Sequence, residues 1–242
     1  MLGFIPDDPI SVPHSFTSSL DIEISGFFSA IFSWGNRKTI INKSKELMAL
    51  MDNDPYQFIL HHTEKERSKF LSFKHRTFQA TDILYCLDFL QRHYREHSTL
   101  ENAFYPDHTL LYDQGEALQT FHTYFFDNPF APQRTRKHIS TPAKNSTCKR
   151  LNMFLRWMVR DDDRKVDFGI WKNIPTSELM IPLDVHVEKY ARRMGILTRR
   201  QIDWGAVMEI TQNLRMMDKN DPIKYDFALF GLGVYGNDIL LK

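Results

Sequence analysis

A lysine and an aspartate in this chain fall at helix starts, where backbone dipoles most alter what an amine or a carboxylate can do. Lys149 lies in the first turn of a helix that begins near Ser146 and carries Leu151, Phe154, Leu155 and Met158 inward. Steps of three and four put Lys149, Asn152, Arg156 and Arg160 on its other face. The positive end of the dipole disfavours an ammonium there, and Arg150 pushes the same way. Partial burial would add to both, leaving the neutral amine that a nucleophile requires. Downstream, Pro182 fixes an extended approach in Ile181-Pro182-Leu183-Asp184-Val185-His186-Val187. Asp184 is then placed to cap a helix leading into Tyr190, Ala191 and Met194. A carboxylate held by helix amides in a water-poor cleft can stabilise a developing oxocarbenium ion. The same two residues also fit a surface lysine and a plain N-cap.

The elements that must position this pair are helical. Apolar Phe27, Phe28, Ile31 and Phe32 mark one or two helices from Asp21 to about Met51, with a break at Trp34-Gly35-Asn36. Thr81 is a plausible N-cap for a helix with Ile83, Leu84, Leu87, Leu90 and Tyr94 on one face. Leu118, Phe121, Phe125 and Phe126 mark another. Asp203 caps a stripe through Val207, Ile210 and Leu214, and Asp221-Pro222 opens a last helix through Phe227 and Phe230. Alternating strands are scarce, and loops are expected at 98–112, 127–147 and 161–180. The fold class is all-α, a single domain over 1–242, and 19 Phe foretell a core rich in rings.

Net charge is only +1, so a polyanionic partner must be argued from where charges sit. From Asn128 to Arg160 there is no Asp or Glu, yet the run holds Arg134, Arg136, Lys137, Lys144, Lys149, Arg150, Arg156 and Arg160. A second acid-free run, Lys189 to Ile202, holds Lys189, Arg192, Arg193, Arg199 and Arg200. If both line one surface, it attracts a phosphate backbone; the alternative is an ordinary solvated face. Cys86 and Cys148 are too few for a disulfide framework or a cysteine-held cluster, so no metal or cofactor is expected. The opening Met-Leu-Gly-Phe-Ile-Pro-Asp-Asp lacks a signal peptide's pattern, and Gly26–Gly35 falls short of the ~20 residues that span a bilayer. The expectation is a cytoplasmic, nucleoid-associated monomer with room for a further helix ahead of Met1.

Lys149-Arg150-Leu151-Asn152-Met153-Phe154-Leu155, followed by Leu183-Asp184-Val185-His186-Val187, resembles the helix-hairpin-helix DNA glycosylase superfamily. There a Lys-x-x-Asn-x-x-Leu helix follows the hairpin and an Asp-x-His-Val/Ile helix start supplies an aspartate. The separation, 184 − 149 = 35, is longer than in the endonuclease-three branch and looks more like the archaeal 8-oxoguanine DNA glycosylase branch. The resemblance implies a two-lobed helical domain with its hairpin at about 134–160. It also implies base-excision repair of duplex DNA carrying a damaged base or abasic site, with AP lyase activity and oxidised purines as substrates. Lys149 becomes the nucleophile and Asp184 its activating partner. Trp34, Asn36, Phe78, Asp226 and Phe230 would form the base pocket, although each aromatic fits a core position equally well. Arg134, Arg136, Lys137, Lys144, Arg150, Arg156, Arg192 and Arg193 would meet the DNA backbone. The superfamily's Gly-x-Gly hairpin turn is missing from Ile139 to Thr147, where Asn145 can take the left-handed conformation instead.

Across nearly its full length the chain also resembles a bacterial family of conserved proteins with no assigned activity. The matching stretches are Asp7-Asp8-Pro9-Ile10, Trp34-Gly35-Asn36-Arg37-Lys38, Lys74-His75-Arg76-Thr77-Phe78, Lys149 through Arg156, Leu183 through Val187 and Lys224 through Gly231. Other signals carry less. Gly231-Leu-Gly233-Val-Tyr-Gly236 is followed by only six residues, too few for a dinucleotide-binding unit. His186-Val-Glu188 lacks the cysteines of a zinc deaminase, and His61-His62 lacks metal-site spacing. The rival to an enzyme is a non-catalytic helix-hairpin-helix protein that binds damaged or bent DNA.

Overall fold

A computed structural model describes residues 5–107 and 113–235; the first four residues and Gly236 of the glycine pattern lie outside the described residues. The chain is mostly helical: α1 (Ser19–Phe32), α2 (Arg37–Leu50), α3 (Pro55–His61), α4 (Glu64–Arg67), α5 (Ala80–Glu96), α6 (Glu101–Phe104), α7 (Gln114–Phe125), α8 (Lys149–Val159), α9 (Val185–Arg193), α10 (Trp204–Met217) and α11 (Asp226–Tyr235). Its one sheet among the described residues is an antiparallel pair, β1 (Lys74–His75) and β2 (Phe78–Gln79). None of the described helices is long and apolar enough to cross a membrane.

The chain breaks between α1 and α2 where Trp34-Gly35-Asn36 predicts it. Gly35 has φ 106°, and Asn36 caps α2 by accepting from the Thr39 amide at 3.1 Å. Other helix starts shift. Thr81 sits inside α5, whose N-cap is Gln79; the Asp82 carboxylate accepts from the Gln79 amide at 2.8 Å. Asp203 caps α10 as expected, accepting from Ala206. Pro222 opens a short 3-10 turn, Pro222–Tyr225, before α11 begins at Asp226.

The apolar interior falls into two cores. The larger runs from Ile10 to Leu179 with Ile223 added, and phenylalanines dominate it: Phe27 meets Phe28, Phe121 and Phe154 at ring separations of 5.5–6.0 Å. The smaller joins Met180, Leu183, Val187, Tyr190, Val207, Ile210 and Leu229 around α9, α10 and α11, and Trp204 packs against both. A buried carboxylate, Glu23, ties the first core: it accepts from Tyr94, Thr99, Leu100 and Trp171 at 2.7–3.0 Å. Burial raises its pKa despite these four donors.

The expected hairpin region takes an unexpected form. In place of a first α-helix, residues 133–147 hold two 3-10 turns, Gln133–Lys137 and Pro142–Lys144. Asn145 follows in the left-handed conformation, φ 55°, as the missing glycine requires, and Cys148 repeats it at φ 50°. The helix therefore starts at Lys149 rather than near Ser146, with no side chain capping its first amides.

Candidate functional site

A cavity of about 240 Å³ opens between the two cores. Its walls come from Asp8, Pro9 and Ile10 near the start of the chain, from Gly35 and Arg37, and from one side of α8 through Lys149, Met153 and Arg156. Pro182, Asp184 and His186 of the α9 start and Asp226, Phe227 and Phe230 of α11 close it.

Lys149 and Asp184 meet there. The lysine Nζ stands 3.4 Å from Asp184 Oδ2, with 32% of the lysine and 14% of the aspartate side chain exposed, so the pair sits at the cavity's edge. The two oxygens of Asp184 divide the work. Oδ1 caps α9 by accepting from the His186 amide at 2.9 Å and the Val187 amide at 3.0 Å, while Oδ2 faces the lysine. A carboxylate fixed by two helix amides presents its other oxygen in one orientation, as Asp203 also does towards Arg199.

What holds the two helix starts together is Asn152. It is fully buried, so its place on the outer face of α8 is not a solvent face at all. Its Nδ2 donates to the Thr147 carbonyl at 3.1 Å and the Ile181 carbonyl at 3.4 Å, and its Oδ1 accepts from Gln114 Nε2 at 2.6 Å. Gln114 in turn accepts from the Met180 amide at 2.8 Å, and Thr211 Oγ1 accepts from the Ile181 amide at 3.2 Å. Buried amides satisfied on every side make a stiff link between the turn before α8 and the strand-like approach to α9.

Arg156 shares that face and is turned inward too, which removes it from the set expected to meet DNA. Asp167 takes its guanidinium at 3.2 Å by both oxygens, Asp226 takes the other side, and the Phe227 ring lies 3.8 Å away. Arg160 joins through Asp162, Asp167 and Asp221. Burial pushes the Asp226 carboxyl up to about 6; the Arg156 charge opposes the rise and the Asp184 charge adds to it. Of the five residues expected in a base pocket, Asp226 and Phe230 line the cavity, with His186 against the Phe230 ring at 5.7 Å and Arg37 at 6.0 Å from it.

The other pocket expectations fail on position. Phe78 is fully buried in the first core between Phe32 and His138. Trp34 lies under the Arg76 guanidinium at 4.5 Å, and Asn36 is spent on capping α2; neither lines the cavity. Among the expected backbone contacts, Arg134 is held by Asp82, Gln79 and Thr77, and Arg150 donates to the Ile31 carbonyl at the end of α1. Arg192 is paired with Glu188, and Arg136 lies over the Phe126 ring. Lys137, Lys144 and Arg193 are exposed and join no ion pair among the described residues. The acid-free runs are thus neutralised in part, by carboxylates outside them such as Asp82, Asp167 and Glu188, which counting along the sequence does not reveal. Asp8 and Arg37 were not singled out for the cavity; both lie in stretches that matched the bacterial family, and that was their only signal.

Among the described residues no cluster of His, Cys, Asp and Glu could hold a metal ion. Cys148 is buried, which pushes its thiol up to about 11 and leaves it inert beside the pair. No curated protein and no solved structure matches the chain. A family model described as "Protein of unknown function (DUF2400)" matches residues 8–235, nearly the whole length, and the chain belongs to that family.

Proposed function

We propose that this protein is a DNA base-excision glycosylase with associated AP lyase activity, acting on oxidised purines. The observation that carries the reading is the amine of Lys149 set 3.4 Å from a helix-fixed carboxylate, Asp184, at the edge of a cavity between two cores. The cavity lies a little below the roughly 300–1,000 Å³ of drug-sized sites, a scale suited to one ring system and its sugar.

A base inside a duplex hides its glycosidic bond, so the nucleotide must first be extruded into the cavity. The C1′–N bond breaks as positive charge develops on the sugar, and Asp184 Oδ2 faces that charge. Lys149 gives one proton to the departing base, and its nitrogen forms a bond to C1′. Opening of the sugar ring leaves an imine between C1′ and Lys149. Loss of a proton from C2′ then breaks the C3′–O bond and cuts the strand. His186 and Phe230 stand where the extruded base would stack, and exposed Lys137 and Lys144 ahead of α8 suit its phosphates.

The test is borohydride trapping on duplexes carrying 8-oxoguanine or an abasic site. The wild-type protein is expected to form a covalent adduct and Lys149→Ala none. Asp184→Asn is expected to keep binding and lose turnover. An adduct that survives Lys149→Ala removes the lysine from the role. Salt-sensitive binding with no adduct at all leaves a DNA-binding module without lyase chemistry.

A further inference from the structure

Asp8 is a cavity-lining carboxylate that the lyase chemistry leaves unused. It opens the short 3-10 turn Pro9–Ser11, and its Oδ1 accepts from the Ile10 amide at 3.1 Å. Its second oxygen takes part in no hydrogen bond or ion pair among the described residues. Arg37, Arg156 and Lys149 act on it through space, yet none comes within ion-pairing distance. Burial outweighs these cations and raises the carboxyl above its ordinary range. This second oxygen belongs to a half-buried, cavity-lining residue and keeps contact with solvent, so it is open to a donor that enters the cavity. Plain capping accounts for Oδ1 alone.

We infer that Asp8 reads the extruded base, its second oxygen accepting a hydrogen bond from an N–H on the base edge that enters the cavity. The inference rests on the glycosylase reading and narrows its substrates to bases that present such an N–H; oxidised purines carry an additional one on the imidazole ring. Lys149 and Asp184 act at the sugar, whereas Asp8 acts on what an abasic sugar lacks. Asp8 is therefore needed for release of the base and dispensable once the base is gone.

Asp8→Asn separates the two oxygens. Asparagine is as good an N-cap as aspartate and keeps the bond from Ile10, but it can put an N–H donor where the second oxygen was. Single-turnover base release from an 8-oxoguanine duplex is expected to fall about tenfold or more, the loss of one hydrogen bond to a charged group. Borohydride adduct formation on a preformed abasic duplex is expected to stay within about twofold. Equal base release by the variant overturns the assignment, as does a parallel loss on both duplexes, which would mean that Asp8 acts through Lys149 or the fold. If Asp8→Asn does not fold, Asp8→Ser retains a capping oxygen and faces the same two assays. A wild-type protein that forms no adduct on either duplex overturns the glycosylase reading itself, a different result from wild-type excision that Asp8→Asn leaves intact.

Discussion

Replacing Asn152 with aspartate changes one atom at the centre of the link between α8 and α9. The acceptor facing Gln114 survives, but the two bonds donated to the Thr147 and Ile181 carbonyls become contacts between oxygens. Stranding a buried acceptor costs about 1–3 kcal/mol, so the pair costs about 2–6 kcal/mol. An uncompensated buried charge brings about 3–5 kcal/mol, overlapping with the same lost bonds rather than adding in full. A penalty of about 4 kcal/mol at pH 7 is thus expected, a large share of the roughly 5–15 kcal/mol that holds a domain folded. Burial raises the introduced carboxyl above its unfolded value of about 3.9, so the variant loses stability as pH climbs above about 4. Below that pH both states are protonated, and a carboxylic acid can donate one of the two lost bonds. Urea titrations of variant and wild type at pH 4 and pH 7 measure the difference, in which the acid sensitivity of the rest of the chain cancels. A penalty under about 1 kcal/mol at pH 7, or one that does not shrink on acidification, refutes the role given to the Asn152 amide.

Burial holds the fully enclosed His93 imidazole at about 4, against an unfolded value of 6.5, even with the Thr99 carbonyl favouring its charged form. The unfolded chain binds the extra proton first, so stability is complete above about pH 6.5 and falls by about 3 kcal/mol towards pH 4; urea midpoints of wild type and His93→Gln should diverge in slope over that window, and equal slopes would exclude His93 as the cause. A Cβ on Gly35 would lie 2.1 Å from Arg76 Nη1, at a φ of 106°. Gly35→Ala should lower stability by about 1–3 kcal/mol, with only partial rescue by Arg76→Ala because the backbone strain remains; full rescue in thermal unfolding would contradict that division. Arg156→Ala strands Asp226, leaves Asp167 to Arg160 alone, and should cost about 3–5 kcal/mol by denaturant titration. A loss below about 0.5 kcal/mol is what a surface arginine gives, and would return Arg156 to the DNA-facing role.

The features legible in the sequence were those whose cause is local. A cap and the amides it accepts from lie within three residues, so Asp184 and Asp203 could be read directly, and so could the break at Gly35. Asn145 was legible for the same reason: a turn without glycine leaves few residues able to adopt a positive φ. Charge fared worse, because partners are chosen in space. Arg156 reads as one more cation in an acid-free run, yet its carboxylates stand eleven and seventy residues away. Phe78 and Phe230 are indistinguishable by type, and only tertiary packing sends one to the core and the other to the cavity. Asp8 had only its place in a family-matching stretch, since most of its cavity is made by segments some 140 to 220 residues downstream.

The Lys149–Asn152 spacing has a physical basis that follows from these contacts. Three residues along a helix is most of a turn, so a side chain at that step rises from the same side as Lys149 but one level deeper. From that level Asn152 reaches back to the Thr147 carbonyl just before the helix and across to the Ile181 carbonyl three residues before Asp184. One amide therefore fixes the start of α8 relative to the start of α9, and with them the amine and the carboxylate that each start carries. A step of two would turn the amide away from both carbonyls, and a step of seven would leave it two turns from the Thr147 carbonyl. The motif is thus a mechanical requirement of pairing two helix N-termini, and the position of the Lys149 amine depends on a residue that never touches it.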